Sequence, residues 1–271
     1  MYVDIKKYQA SNRKCKYLSP IVLVLALAGV VNTAQAQTVY STSFERSKFL
    51  GGEQLLGVDK WSEAIPPFLN APAAKITGDA SRSGEQSIIV RGEDLYTSAG
   101  ITAPYDAVGS YRRPLDFTIT AENPKIRVEA DVLISTNRPK TDDQFFSLTI
   151  SARSGNGEIL GEVGISSAGK AEGFALGQNP GDPAAQVKDG IALNRWHHLT
   201  MILDTVNDTT QYFIDGHALG VALSAPSSSN ILLRSAMGVF ARPDDDTDVT
   251  GSHARSNYAA RFDNFRVSAD N

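Results

Sequence analysis

The chain has 271 residues with 26 Lys+Arg against 30 Asp+Glu, a net charge of −4, and it is 42% hydrophobic and 21% charged. These values exclude wholesale disorder. The mild acidity argues against a nucleic-acid partner, which calls for a basic face.

The first 36 residues read as a secretory leader. Lys6, Lys7, Arg13, Lys14 and Lys16 precede an apolar run from Ile21 to Val31, and Ala34-Gln35-Ala36 forms an A-x-A cleavage site. The apolar run is short of the roughly 20 residues a spanning helix needs. Cleavage after Ala36 is expected, giving a secreted or periplasmic protein that starts at Gln37. Removal of 36 residues leaves 235, with 21 basic against 29 acidic side chains, or −8. The only cysteine, Cys15, goes with the leader, so the exported chain has no thiol, disulfide or Cys-ligated zinc. No second apolar span follows, and no membrane span is expected after cleavage.

From Gln37 onward the pattern has period two. Lys125 to Ser135 is the clearest case: Ile126, Val128, Ala130, Val132 and Ile134 fall on one face, and Arg127, Glu129 and Asp131 on the other. Leu133 breaks that alternation. Similar runs occupy 38–45, 86–91, 145–153, 196–204, 210–215, 237–242 and 260–268, separated by turn signals such as Asp215-Gly216 and Ser227 to Asn230. The stretch from Gly169 to Asp189 reads as strand fragments plus a long loop. Many short strands at this spacing predict one all-β domain over 37–271, a two-sheet antiparallel jelly-roll sandwich.

Three segments carry a family resemblance. The first is Ser43-Phe44-Glu45, then Trp61, then Ser83-Gly84-Glu85-Gln86-Ser87-Ile88. The second is Trp196-His197-His198-Leu199-Thr200, Leu203-Asp204 and Tyr212-Phe213-Ile214-Asp215-Gly216. The third is Phe262-Asp263-Asn264-Phe265-Arg266-Val267. In this order they resemble the concanavalin A-like lectin/glucanase superfamily, in its laminin-G-like branch. The resemblance implies a jelly roll that binds glycans or, in some members, cleaves them. It also implies that the first and last strands lie side by side and often hold a calcium. Glu45 and Asp263 match the carboxylate positions, and Gly84 is a possible carbonyl donor. For Asp263, calcium stands against an ion pair with Arg261 or Arg266 and against hydrogen bonds from backbone N–H groups, since a buried carboxylate needs a partner.

Asp244, Asp246 and Asp248 have D-x-D-x-D spacing. Val249 and Arg255 stand where an EF-hand needs Gly and Glu, so the segment reads as a solvated acidic loop. His197 and His198 are adjacent on a strand and point to opposite faces, which excludes a shared metal and favours structural or surface roles. Trp196 is expected to fill the core.

Two pairs offer catalytic chemistry. Glu129 and Asp131 share a face as an acid and a base for glycoside hydrolysis. The superfamily's glucanases resemble E-x-D-x-x-E on one strand, and here Leu133 and Ile134 stand where the last Glu would be. Tyr111 and Arg113 suggest a lyase, with Arg neutralising a uronate and Tyr moving a proton. Binding needs less: Trp61, Tyr96, Tyr105 and Tyr111 are candidate sugar platforms, with Arg112 to fix hydroxyls. The expectation is a secreted, non-catalytic, lectin-like domain for an extracellular or cell-surface polysaccharide, with a structural calcium. A polysaccharide-degrading enzyme and a structural surface or matrix protein are the alternatives.

Overall fold

The chain divides into two compact units, Met1–Thr33 and Ala34–Asn271. The computed structural model describes residues 36–63, 74–92, 94, 107–136, 146–155, 157–175, 186–220, 223–224, 232–241 and 258–270. All of these belong to the second unit.

The strands, in chain order, begin with β1 (Gln37–Thr42), β2 (Ser62–Glu63), β3 (Lys75–Thr77), β4 (Ser87–Arg91), β5 (Ala107–Thr118) and β6 (Lys125–Thr136). Next come β7 (Phe146–Arg153), β8 (Ile159–Ser166), β9 (Lys170–Ala175), β10 (Gln186–Asp189) and β11 (His197–Asp204). The last are β12 (Thr209–Ile214), β13 (His217–Ala218), β14 (Leu223–Ser224), β15 (Leu232–Ala241) and β16 (Tyr258–Asp270). All strand pairings among the described residues are antiparallel. The first sheet runs β13-β12-β11-β6-β16-β4-β3, with β1 added to β16 and β14 to β12. The second runs β10-β9-β8-β7-β15-β5-β2. The all-β sandwich predicted from period-two patterning is the observed architecture. Among the described residues no helix is long and apolar enough to cross a membrane.

The alternation of β6 explains the layering. Ile126, Val128, Ala130, Val132 and Ile134 face inward and are buried, meeting Leu199, Met201 and Leu203 of β11 and Val163 and Ile165 of β8 in one apolar core. Arg127, Glu129 and Asp131 face away from the second sheet. On β11 the inward set starts with His197, so the preceding Trp196 falls on the outward parity. Trp196 is only partly buried and lies outside the core, contrary to expectation, because His197 takes the inward place.

The two ends of the domain are neighbours. β1 pairs with β16 from Gln37↔Ala269 to Thr42↔Phe265. β4 pairs with the earlier half of β16, from Ala259↔Arg91 to Phe262↔Ile88. Between those two partners β16 carries a bulge, from Asp263↔Asp131 to Arg266↔Glu129. Asn264 sits in it at φ 49°, a left-handed conformation that Asn tolerates better than most residues. Beside this seam Trp61 stacks edge-on against Phe265 at 5.6 Å and meets Phe44 and Tyr40 at 6.2 and 6.4 Å.

Two long strands escaped sequence reading, as did the short β2, β3, β13 and β14. β8 is interrupted by Gly161 and Gly164, and β5 contains Pro114. Gly161 is needed because a Cβ there would lie 2.7 Å from the Met201 sulfur. Pro114 is opposite Arg234 of β15, while β2 flanks β5 only at Tyr111 and Arg112. The missing N–H therefore falls where β5 has one neighbour.

Candidate functional site

The sandwich offers two outward faces with concentrated polar chemistry. On the first sheet, His198 of β11 stands over β6. Its Nδ1 is 3.0 Å from Asp131 Oδ1, and its Nε2 is 3.6 Å from Glu129 Oε1. Arg127 approaches Glu129 at 3.7 Å, and Asn264 Nδ2 donates to Asp131 Oδ2 at 2.7 Å. The hydrogen bond to Asp131 and the contact with Glu129 push the His198 imidazole up to about 9, against a smaller effect of burial. Burial by itself raises the Asp131 and Glu129 carboxyls. The His198 contacts outweigh it, with Asn264 helping at Asp131 and Arg127 at Glu129, and both are held below their ordinary values.

That balance decides what the Glu129/Asp131 pair can do. Glycoside hydrolysis by two carboxylates needs one of them protonated at the working pH, set apart from its partner by environment. Here both are anions sharing one imidazolium. The arrangement is an ion-pair network that stitches β6, β11 and β16 together.

The predicted cation donors do converge. Residues 82–85 lie in the gap that β4 and β1 leave along β16. Asp263 is fully buried, and its Oδ2 accepts from Arg82 N at 2.8 Å and Ser83 N at 3.0 Å, while Oδ1 accepts from Asn264 N at 2.7 Å. Glu45 grips the other end of the segment, accepting from Glu85 N at 3.1 and 3.2 Å. Gly84 lies between at φ 63°, where a Cβ would come within 2.0 Å of Glu45 Oε1; its carbonyl accepts from Ser81 Oγ at 3.0 Å. These donors do not fit calcium as arranged. Both carboxylates are engaged by N–H groups, whose positive ends oppose a cation. Ca2+ wants about 6–8 oxygen ligands, and among the described residues no group of three His, Cys, Asp or Glu side chains gathers to hold a metal. Of the partners weighed for Asp263, backbone N–H groups are the ones it has.

The other sequence candidates fall in the interior. Trp61 is 1% exposed within the aromatic cluster and offers no open ring face to a sugar. Tyr111 is equally buried, and its hydroxyl accepts from Ala74 N at 2.8 Å, so it serves packing and not proton transfer. Arg113 is inward too: it lies 4.3 Å from the Tyr40 ring centroid and 3.7 Å from Asp59. Arg112 alone of this group lies on the outward parity of β5, donating from Nε to Ser62 Oγ at 3.3 Å. Tyr96, Tyr105 and the acidic loop 244–248 lie outside the described residues.

The second sheet's outward face is where sequence reasoning missed a site. Register aligns Phe174 of β9, Glu162 of β8, Ser151 of β7, Ala236 of β15 and Arg112 of β5 in one row across five strands. The next row runs Glu172, Gly164, Thr149, Gly238 and Ser110. Small residues therefore make up the middle of this face. Ser110, Ser147, Thr149, Ser151 and Ser166 are buried although they point away from the core, so the face is walled off from bulk solvent. Glu162 is 4% exposed at its centre. Burial pushes its carboxyl up to about 7, while the Arg153 charge and a hydrogen bond with Thr149 pull the other way. Phe174 is buried beside it but lies outside the core cluster, on the same outward side. Gly164 lets Thr149 lean across: a Cβ there would lie 2.5 Å from Thr149 Cγ2. Arg153 Nε and Ser166 Oγ are buried without a hydrogen-bond partner among the described residues. The available signal was a lone Glu amid Gly and aliphatic residues in GEVGIS, whose glycines break the strand pattern.

No family model matches the chain, and no curated protein matches its sequence. Solved structures do. A carbohydrate esterase from the Shiga toxin-encoding bacteriophage phi24B superposes with a TM-score of 0.51 at 12% identity, covering 88% of this chain and all of that one. An endo-β-1,4-glucuronan lyase from the fungus Trichoderma reesei gives 0.49 at 9% identity, covering 85% and 94%. A protein described as a sialidase gives 0.43 at 16% identity over 77% of this chain, which spans only 17% of that protein's length. The likeness to the phage esterase shows a shared fold.

Proposed function

We propose that this protein is an exported glycan-recognition domain that binds an extracellular or cell-surface polysaccharide on the outward face of its second sheet. The observation that carries the reading is that face itself. It is rich in hydroxyls, has small residues along its middle and the Arg112 guanidinium at one side, and is largely shielded from water although it is not core. Buried polar atoms without a hydrogen-bond partner among the described residues, Arg153 Nε and Ser166 Oγ, are costly unless something bonds to them. Sugar hydroxyls supply such bonds, and Arg112, the partly exposed donor at the end of the same row, is open to them. The fold shared with carbohydrate-active proteins supports the reading without selecting a sugar. Export rests on the N-terminal leader pattern. Calcium has no part in the reading, because the Glu45 and Asp263 carboxylates already hold the 82–85 segment by its N–H groups.

The test is binding to a panel of soluble polysaccharides by affinity electrophoresis, with Arg112→Ala and Ser151→Leu as variants. Retardation by at least one polymer, weakened about tenfold or more by each variant, is expected, since a lost hydrogen-bonding contact costs about 1–3 kcal/mol. Background mobility on every polymer would sink the reading.

A further inference from the structure

We propose that His197 is a proton-operated latch: its doubly protonated ring fastens the segment 190–196 across one end of the sandwich, and loss of one ring proton releases it. The device stands apart from the glycan reading and does not depend on it.

The segment is a strap between the sheets, joining β10 of the second to β11 of the first. At its start Ile191 N donates to Gly169 O at 2.8 Å, in the turn between β8 and β9. Further on, Asn194 N donates to Ile134 O at 2.9 Å, and Asn194 Oδ1 accepts from Thr136 N at 2.8 Å, both at the end of β6. Ile191 and Leu193 pack against the core from partly buried positions, while Ala192, Asn194 and Arg195 are exposed. A segment with two apolar anchors and a few hydrogen bonds opens far more readily than the strands it joins.

His197, the first residue of β11, supplies the remaining hold. Its side chain is 6% exposed. Nδ1 lies 2.8 Å from Asp215 Oδ2, and Nε2 lies 2.7 Å from Ala192 O of the strap. A carbonyl oxygen only accepts. So does an ionised carboxylate, and Asp215 is ionised. Burial raises its carboxyl, but the His198 N–H, which donates to Oδ1 at 2.9 Å, acts with His197 and Arg195 to hold it below its ordinary value. Both ring nitrogens must therefore donate, which only the imidazolium can do. A neutral ring turns one lone pair on an oxygen less than 3 Å away, in a place with little water to relieve it. The proton that remains stays at Nδ1, against the anion. The lone pair then faces Ala192 O, and the strap is the part that lets go.

The charged groups around the ring are few among the described residues. Asp215 faces it from the turn after β12, and Arg195 lies 3.9 Å from the same carboxylate oxygen. Val132 of β6 is opposite His197 and carries no charge. His217 is exposed to solvent. Glu129, Asp131 and His198 lie on the other side of the sheet. Loss of the ring proton is thus felt at one contact on the turn and one on the strap.

The experiment follows the imidazole nitrogens of the 15N-labelled protein by NMR from pH 5 to pH 10. Hydrogen exchange at the Ile191 and Asn194 amides, corrected for intrinsic rate, is measured alongside. Both His197 nitrogens are expected to carry a proton at pH 5 and one to lose it as pH rises. Protection of the two strap amides should fall about tenfold or more at the same midpoint, while the Met201 amide within β11 keeps its protection. Asp215→Asn removes the anion and should move both changes together to lower pH. His197→Gln should show no such step, and His198→Gln, on the opposite face, should retain it. A ring with one protonated nitrogen at pH 5, retention of both protons up to pH 10, a ring step without loss of strap protection, or a strap step that survives in His197→Gln each overturns the latch.

Discussion

Asp131 Oδ1 lies 3.0 Å from His198 Nδ1, and this contact joins the two central strands of the first sheet on their outward side. It turns a sequence feature that suggests catalysis, two carboxylates two residues apart, into a structural clasp. The clasp continues through Asn264 to Ser83, whose Oγ donates to Asn264 Oδ1 at 2.6 Å, and so reaches the segment held by Asp263.

The clasp has a pH signature. The folded imidazole of His198 titrates near 9 against an ordinary value of 6.5, so its contribution is complete below about 6.5 and lost as pH rises through about 9. The side chain is 41% exposed, so solvent screening reduces the nominal shift to roughly 1 kcal/mol. Urea unfolding at pH 6 and pH 9.5 is expected to show that loss in wild type, and His198→Gln should be less stable at pH 6 with a flatter dependence. An identical pH slope in the variant would contradict the clasp.

Glu162 acts in the same direction through burial. Its folded value near 7 lies above the ordinary 4.5, so stability present below about 4.5 declines as pH rises and is fully lost above about 7. The shift corresponds to about 3 kcal/mol. Glu162→Gln is expected to be more stable than wild type at pH 8 and nearly equal at pH 4.5, read as urea midpoints. Equal midpoints at both would mean that the carboxyl is solvated.

Asp263 tests the seam between the chain's ends. Its carboxylate satisfies three backbone N–H groups from a fully buried position, and Asp263→Ala leaves them without an acceptor. A loss of about 3 kcal/mol or more is expected, at a cost of about 1–3 kcal/mol per unsatisfied buried group with partial rescue by water. Asp263→Asn keeps an acceptor and should cost less. Calorimetric unfolding measures both.

Because those same N–H groups occupy the carboxylates, millimolar calcium or EDTA should leave the melting temperature unchanged to within about 1 °C. A specific ion at 100 times its Kd would add about 2.7 kcal/mol, which at this size is several degrees. A rise of that size on adding calcium would refute the amide clasp.

Trp61→Ala is expected to cost about 3–5 kcal/mol of stability, as large aromatic truncations in a core do. Trp61→Phe should restore most of the stability. Glycan affinity per folded molecule should be the same in both, since the ring packs among Tyr40, Phe44 and Phe265.

The legible parts of the fold were those where local pattern and burial agree. β6, β7, β11, β12 and β16 each alternate cleanly or nearly so, and each is a strand within a few residues of its predicted limits. β5 and β8 were illegible because Pro114, Gly161 and Gly164 are locally anti-strand residues. They are tolerated for tertiary reasons: a one-sided partner for the proline, and close approach of Met201 and Thr149 for the glycines. The sites divided the same way. Glu45, Gly84 and Asp263 were recognised from order along the chain and do assemble, yet that order could not say whether their partners are a cation or N–H groups. Glu162, Ser151 and Phe174 come from three strands and have no spacing in sequence that links them.

The amino-acid sequence alone determined the all-β architecture, because side-chain period along a strand is a local property that sorts apolar from polar faces. Only the tertiary structure decided which outward carboxylates are clasped and which is kept dry. Solvent exclusion and charge pairing are set by neighbours across the sheets, and those neighbours are chosen by register and not by proximity in the chain.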